Sequence, residues 1–239
     1  MDAKRNRVRF SALALGAVMA SFWSSGDAAR AGDPRRLTVV ELFTSQGCSS
    51  CPPANANLIE LSKRPDVLTL SFSVTYWDRL GWKDTFGRPE FTDRQVTYEA
   101  PLGRDGPFTP QMVVNGRADA VGNRISEVER IIAEQRGGDA PSIAMNNQRL
   151  TVGVGRAPQG GADIWLVAYD KRTVNVPVKG GENTGRTLPH KDVVHSLTKL
   201  GTWSGKALTI DLPAPGPGLT RAVLIQVPNG GPILVAATQ

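Results

Sequence analysis

Apolar and polar positions divide the chain into a mixed first half and a strand-rich second half. Leu37 to Phe43 is an apolar, β-branched run and predicts a buried strand, with a turn at Thr44–Gly47. Ala54 to Lys63 carries Leu58, Ile59 and Leu61 among helix formers and predicts a helix. Pro52 or Pro53 suits its first turn, where a missing N–H costs nothing. Arg64-Pro65-Asp66 stops it, and Val67 to Tyr76 alternates as a second strand. Trp77 to Phe108 is less regular and aromatic, with a helix expected over about Pro89–Tyr98. Gln111–Val114 and Arg117–Val121 are short strands joined by Asn115-Gly116, the strongest short hairpin signal. Ser126 to Gln135 is a helix in which Ser126 and Glu129 form a capping-box pattern, and Gly137-Gly138 ends the half.

This order predicts that the first two strands pair in parallel through a helical crossover. The hairpin then adds antiparallel strands, and the last helix covers the sheet. From Pro141 the texture changes. Ile143–Met145, Leu150–Val154, Ile164–Tyr169, Val174–Val178, Val193–Leu200, Leu208–Leu212, Ala222–Val227 and Ile233–Ala237 are strand candidates, punctuated by Pro and Gly. Short strands with regular turn signals point to a separate β-sandwich.

Hydrophobic residues make up 40% of the 239, enough for a core, so global disorder is excluded. The net charge of +6 invites a nucleic-acid reading. Half of it falls in residues 1–31, and no Lys/Arg cluster survives beyond them, so no nucleic-acid footprint remains. Lys4, Arg5, Arg7 and Arg9 form a basic start, Phe10–Trp23 is a 14-residue apolar stretch, and Ala29-Arg30-Ala31 offers a small-x-small cleavage pattern. The stretch is short of the roughly 20 residues a bilayer span needs. A signal peptide over 1–31 is expected, with an uncleaved anchor as its alternative. The mature chain is then periplasmic or secreted, with no stable membrane insertion.

The chain has two cysteines, Cys48 and Cys51. In an oxidising compartment they can close to a disulfide. So small a loop constrains the unfolded chain little, which weakens a purely stabilising role. An inert disulfide and a metal pair remain as alternatives.

The segment Val40-Glu-Leu-Phe-Thr-Ser-Gln-Gly-Cys-Ser-Ser-Cys51 resembles the thioredoxin motif, a strand ending just before C-x-x-C at a helix start. Thr109-Pro110 before a strand resembles its cis-proline. The whole chain is also similar to a secreted bacterial family, domain of unknown function 1223. That likeness rests on Glu41–Pro53, Tyr76-Trp-Asp-Arg-Leu-Gly-Trp82, Thr109-Pro-Gln111 and Gly181-Glu-Asn-Thr-Gly-Arg-Thr187. The implied fold class is α/β: a thioredoxin-like mixed sheet flanked by helices over 32–138, then a mostly β, sandwich-like domain over 139–239. The implied activity is thiol–disulfide exchange with protein thiols or disulfides in the periplasm, with no cofactor. Cys48 is the expected attacker, exposed at the surface, and Cys51 the covered resolver. Pro110 and Thr109 are expected against the disulfide, where an extended substrate pairs with the Thr109 backbone. Glu41 is either a buried proton acceptor for the resolving cysteine or an acid facing solvent. Pro52-Pro53 departs from thioredoxin and leaves fewer amide donors near Cys48.

Trp77, Asp78, Trp82 and Asp84 either line a binding cleft or form a satellite core. His190 and His195 are expected on opposite faces of one strand, which disfavours a shared metal site. Glu182, Asn183 and Arg186 mark a loop that either docks on the first domain or stays at the surface. The functional alternatives are a binding module with a structural disulfide and a copper-handling protein.

Overall fold

A computed structural model describes residues 1, 36–135 and 139–239. The expected signal peptide and the closing glycines Gly137-Gly138 lie outside the described residues, apart from Met1. Among the described residues no helix is long and apolar enough to cross a membrane.

The first half follows the expected order. β1 (Thr38–Thr44) leads to α1 (Pro52–Leu61), then β2 (Val67–Ser73), α2 (Pro89–Thr97) and α3 (Glu99–Leu102). β3 (Gln111–Val114), β4 (Ala118–Ala120) and α4 (Ile125–Glu134) complete it. β1 and β2 pair in parallel from Thr38↔Val67 to Thr44↔Ser73, and β3 joins β1 antiparallel. Every residue of β1 and β2 is buried, which is why both read as nearly continuous apolar runs. Asn115 and Gly116 turn the β3–β4 hairpin with φ of 50° and 61°, the left-handed pair that such a two-residue turn demands. The capping box at α4 does not form: the helix starts at Ile125 after Arg124, placing Ser126 inside its first turn.

The second half contributes β5 (Ile143–Met145), β6 (Arg149–Val152), β7 (Ala162–Asp170), β8 (Val174–Pro177) and β9 (Thr187–His190). β10 (Val193–Trp203), β11 (Leu208–Asp211), β12 (Thr220–Gln226) and β13 (Ile233–Thr238) follow. Here the separate β domain expected from residue 139 is corrected. Four of these strands extend the first sheet, giving an eight-stranded order β13-β12-β7-β10-β2-β1-β3-β4. β10 pairs with β2 in parallel at Val193↔Ser71, and Pro34–Gln239 is one compact unit. The physical reason is the β2 edge, whose open N–H and C=O groups seek a partner strand. The architecture is therefore α/β, built on one large mixed sheet.

Its two faces are covered differently. On one face Val39, Phe43, Leu70 and Phe72 pack with Phe91 and Tyr98 from the α2–α3 region and with Val167, Val194 and Leu224 from the second half. On the other face Val40, Leu42 and Met112 pack with Leu58 and Leu61 of α1 and with α4. Burying each of those leucines contributes about 1.5–3 kcal/mol. Further along that sheet the small β11-β6-β5 sheet lays Leu150 and Val152 against Ile164, Val223 and Ile225. β8 and β9 form a hairpin of their own.

Candidate functional site

The cysteines sit where β1 hands over to α1. After Thr44 the chain turns through Ser45–Gly47, and the Cys48 amide donates to the Ser45 carbonyl at 3.2 Å. Cys48 and Cys51 form a disulfide across 5.5 Å between Cα atoms. Cys51 is the N-cap residue of α1 and accepts from the Asn55 amide at 3.1 Å. Pro52 and Pro53 occupy the next two positions without N–H groups, so the helix start offers an anion few donors.

Thr109 lies against this pair. Its peptide bond to Pro110 is cis. The Thr109 hydroxyl donates to Cys48 Sγ at 3.3 Å and accepts from Trp77 Nε1 at 2.7 Å. Ser50 Oγ lies 3.3 Å from the same sulfur and 3.4 Å from the Thr109 carbonyl oxygen. Thr109, Cys48 and Cys51 are thus brought together, with Pro110 joined to Thr109 through the cis bond and Trp77 held by the Thr109 hydroxyl.

Asp78 and Trp82 serve the turn before Cys48, in company with Asp84 and with Gln46, a residue not singled out from the sequence. Gln46 is fully buried, and its side-chain carbonyl accepts from Trp82 Nε1 at 2.9 Å. The Gln46 amide donates to Asp84 Oδ2 at 2.7 Å, and Asp78 Oδ1 accepts from the Asp84 amide at 3.1 Å. Burial pushes the Asp84 carboxyl up, against the pull of the Gln46 and Phe86 amides. The aromatic–acidic segment is a scaffold for the cysteine turn. Gln46 precedes the cysteines by two residues, but its partner lies 38 residues on, so local pattern offered no signal.

Two expectations need correction. Cys48 is not exposed: neither cysteine has accessible surface, while Ser49 and Ser50 between them are exposed. Glu41 is not at the cysteines, nor does it face solvent. Side chains alternate along a strand, and α1 packs on the face of Val40 and Leu42. Glu41 shares the opposite face with Val39 and Phe43. There its carboxylate pairs with Arg94 Nε at 2.6 Å and accepts from the Tyr98 hydroxyl. Arg94 also donates to Gln226 and lies over the Phe72, Tyr98 and Trp165 rings. Burial beside this pair pushes the Tyr98 hydroxyl well above its ordinary range.

The histidines do not share a strand. His190 ends β9 and His195 lies in β10, with the Phe86 ring packed 5.8 and 6.1 Å from them. His190 is buried, neither ring nitrogen has a hydrogen-bond partner, and burial pushes it down to about 4. Among the described residues no three His, Cys, Asp or Glu side chains gather as metal ligands.

The Gly181–Thr187 loop docks. It is the tip of the β8–β9 hairpin, and Asn183, fully buried, donates to the carbonyls of Gln46 at 3.0 Å and Cys48 at 2.8 Å. Arg186 donates to Asn183 Oδ1 at 2.7 Å. Glu182 Oε2 accepts from the Ser49 amide at 2.9 Å, which holds its carboxyl below the usual range.

Comparison with known proteins gives a consistent picture. No curated protein matches the chain. A crystal structure of a protein from Agrobacterium tumefaciens is 33% identical, with TM-score 0.69, and the match covers 84% of this chain and 92% of that one. HBP35 of Porphyromonas gingivalis shares the fold at 14% identity and TM-score 0.59, over 85% of this chain and 74% of that one. The family described as Protein of unknown function (DUF1223) matches residues 39–226. With that span matched, the chain belongs to the DUF1223 family.

Proposed function

We propose that this chain is an exported thiol–disulfide oxidoreductase with a thioredoxin-like first half, exchanging electron pairs between Cys48–Cys51 and protein thiols or disulfides in the periplasm. The observation that carries the reading is the placement of the disulfide. It closes at the start of α1, directly after β1, with Thr109 against the Cys48 sulfur. In the reducing direction the Cys48 thiolate attacks one sulfur of a substrate disulfide. A mixed disulfide forms, and one substrate thiolate leaves and takes up a proton. The Cys51 thiolate then attacks Cys48 Sγ, the mixed disulfide breaks, and the second substrate thiolate leaves. The substrate gains two electrons and two protons, and the protein dithiol loses them; the reverse sequence oxidises a substrate dithiol.

Cys51→Ser is expected to accumulate reductant-sensitive adducts with partner proteins, because attack proceeds without resolution. Cys48→Ser is expected to trap far fewer. Expression of both variants with the native leader, followed by non-reducing electrophoresis and an insulin-reduction assay, tests this. The absence of adducts from both variants, together with no insulin reduction, would overturn the proposal. A second reading has its own observation: the complete burial of both cysteines suits a binding module with a structural disulfide. That reading takes first place on such a result.

A further inference from the structure

We propose that the tip of the β8–β9 hairpin, residues 180–183, is a lid over the disulfide that must lift before any thiol reaches Cys48. The inference deepens the oxidoreductase reading and rests on it for its biological meaning. Thiol exchange requires a nucleophile to reach a sulfur, and here neither cysteine has accessible surface. The hairpin tip lies on the turn, with Asn183 on the Gln46 and Cys48 carbonyls, and Thr109 touches the Cys48 sulfur.

The tip is held by means that can be undone. Lys179 to Arg186 contains no large apolar side chain. The anchoring apolar residues are further back, at Val176, Val178 and Leu188, all buried. What fastens the tip is polar: Asn183 on the Gln46 and Cys48 carbonyls, and Glu182 on the Ser49 amide. Such bonds exchange for water at small net cost, unlike a buried apolar face. Gly181 and Gly185, with φ of 70° and 83°, bracket the contact. Gly180 approaches so closely that an added Cβ would stand 2.6 Å from the Gly81 carbonyl oxygen.

The chemistry also couples the lid to the redox state. In the disulfide both sulfurs are neutral, and the Glu182 carboxylate takes the Ser49 amide without competition. Reduction frees the Cys48 thiol, one residue from that amide, and the form that carries out exchange is its thiolate. Two anions then compete for one donor at a helix start already short of N–H groups. The lid is therefore closed on the oxidised protein and loosened on the reduced one.

The test uses the oxidised full-length mature protein and dithiothreitol. That probe gives up two electrons and two protons and closes to a ring disulfide as Cys48 and Cys51 become thiols. The rate of reduction is followed by alkylation and mass spectrometry. Asn183→Ala, which removes three hydrogen bonds, two of them to the cysteine turn, is expected to speed reduction about tenfold or more. Gly180→Val, a wedge under the tip, is expected to do the same. Glu182→Ala, at a more exposed position, is expected to give a smaller increase and to leave the melting temperature unchanged. Rates within twofold of wild type for all three folded variants would overturn the lid. Glu182→Ala keeps the test decisive if the buried Asn183 variant does not fold. Faster reduction in the variants, with no insulin reduction by any of them and no adducts from either cysteine variant, leaves the lid standing and removes the oxidoreductase reading. Insulin reduction by wild type, with reduction rates insensitive to the tip, does the reverse.

Discussion

At the scale of single residues, the most consequential placement is a charge in the core. Glu41 interrupts an otherwise apolar strand, and its position is tolerable because Arg94 meets it at 2.6 Å, with Tyr98 and Gln226 completing the network. Removing one member of a buried ion pair strands the other. Arg94→Met is therefore expected to lower unfolding free energy by about 3–5 kcal/mol, and Glu41→Leu in the same chain to restore much of it. Urea unfolding of the single and double variants checks this; additive losses would contradict the pairing. His190 supplies a second prediction. Its folded pKa is pushed from 6.5 to about 4, so the folded state binds its proton less readily than the unfolded chain does. Stability from the neutral ring is present above about pH 6.5 and drains as pH falls towards 4, up to about 3 kcal/mol in all. His190→Leu is expected to flatten the stability profile across that window in pH-stepped urea titrations. A profile unchanged by the substitution would show that another group governs it.

At the scale of elements, periodicity served where an element buries its own pattern. β1, α1 and β2 were legible because they are apolar at strand or helix spacing, and the β3–β4 hairpin because Asn115-Gly116 has few other uses. The cysteine turn and Thr109-Pro110 stood out through their resemblance to the thioredoxin motif rather than through periodicity. What escaped is made of distant pairs. β9 is four residues with a proline in the third place, too short and too broken to read as a strand. Asn183, which donates to the Cys48 carbonyl, lies 135 residues away, and Thr109, against the Cys48 sulfur, lies 61 away, so exposure of that cysteine could not be judged from its neighbours. Glu41 was legible as a residue of interest, but its side was not. A one-residue register difference moves a strand side chain to the other face, away from α1 and towards α2. The capping-box pattern at Ser126 failed on a similar margin, because the helix begins one residue earlier.

At the scale of the whole molecule, the two halves share a sheet and a core. Val167, Tyr169, Val194 and Leu224 belong to the same cluster as Phe43, Phe72 and Phe91. A fragment of residues 32–138 would lose those side chains and expose the β2 edge. It is expected to be poorly dispersed in 1H–15N correlation spectra and prone to aggregate, while residues 32–239 give a cooperative thermal transition. A well-dispersed, monomeric fragment would show that the first half folds alone. The β2–β10 seam has a further consequence, in time. β2 ends at Ser73 and its partner begins at Val193, so about 120 residues separate them. A ribosome adding about 5–20 residues per second leaves that edge without its neighbour for roughly 6–24 s, longer than a small domain takes to collapse. During each round of synthesis the strand beside β1, which leads to the cysteines, waits with its hydrogen-bonding groups open, and that interval is when a holding chaperone has most to protect.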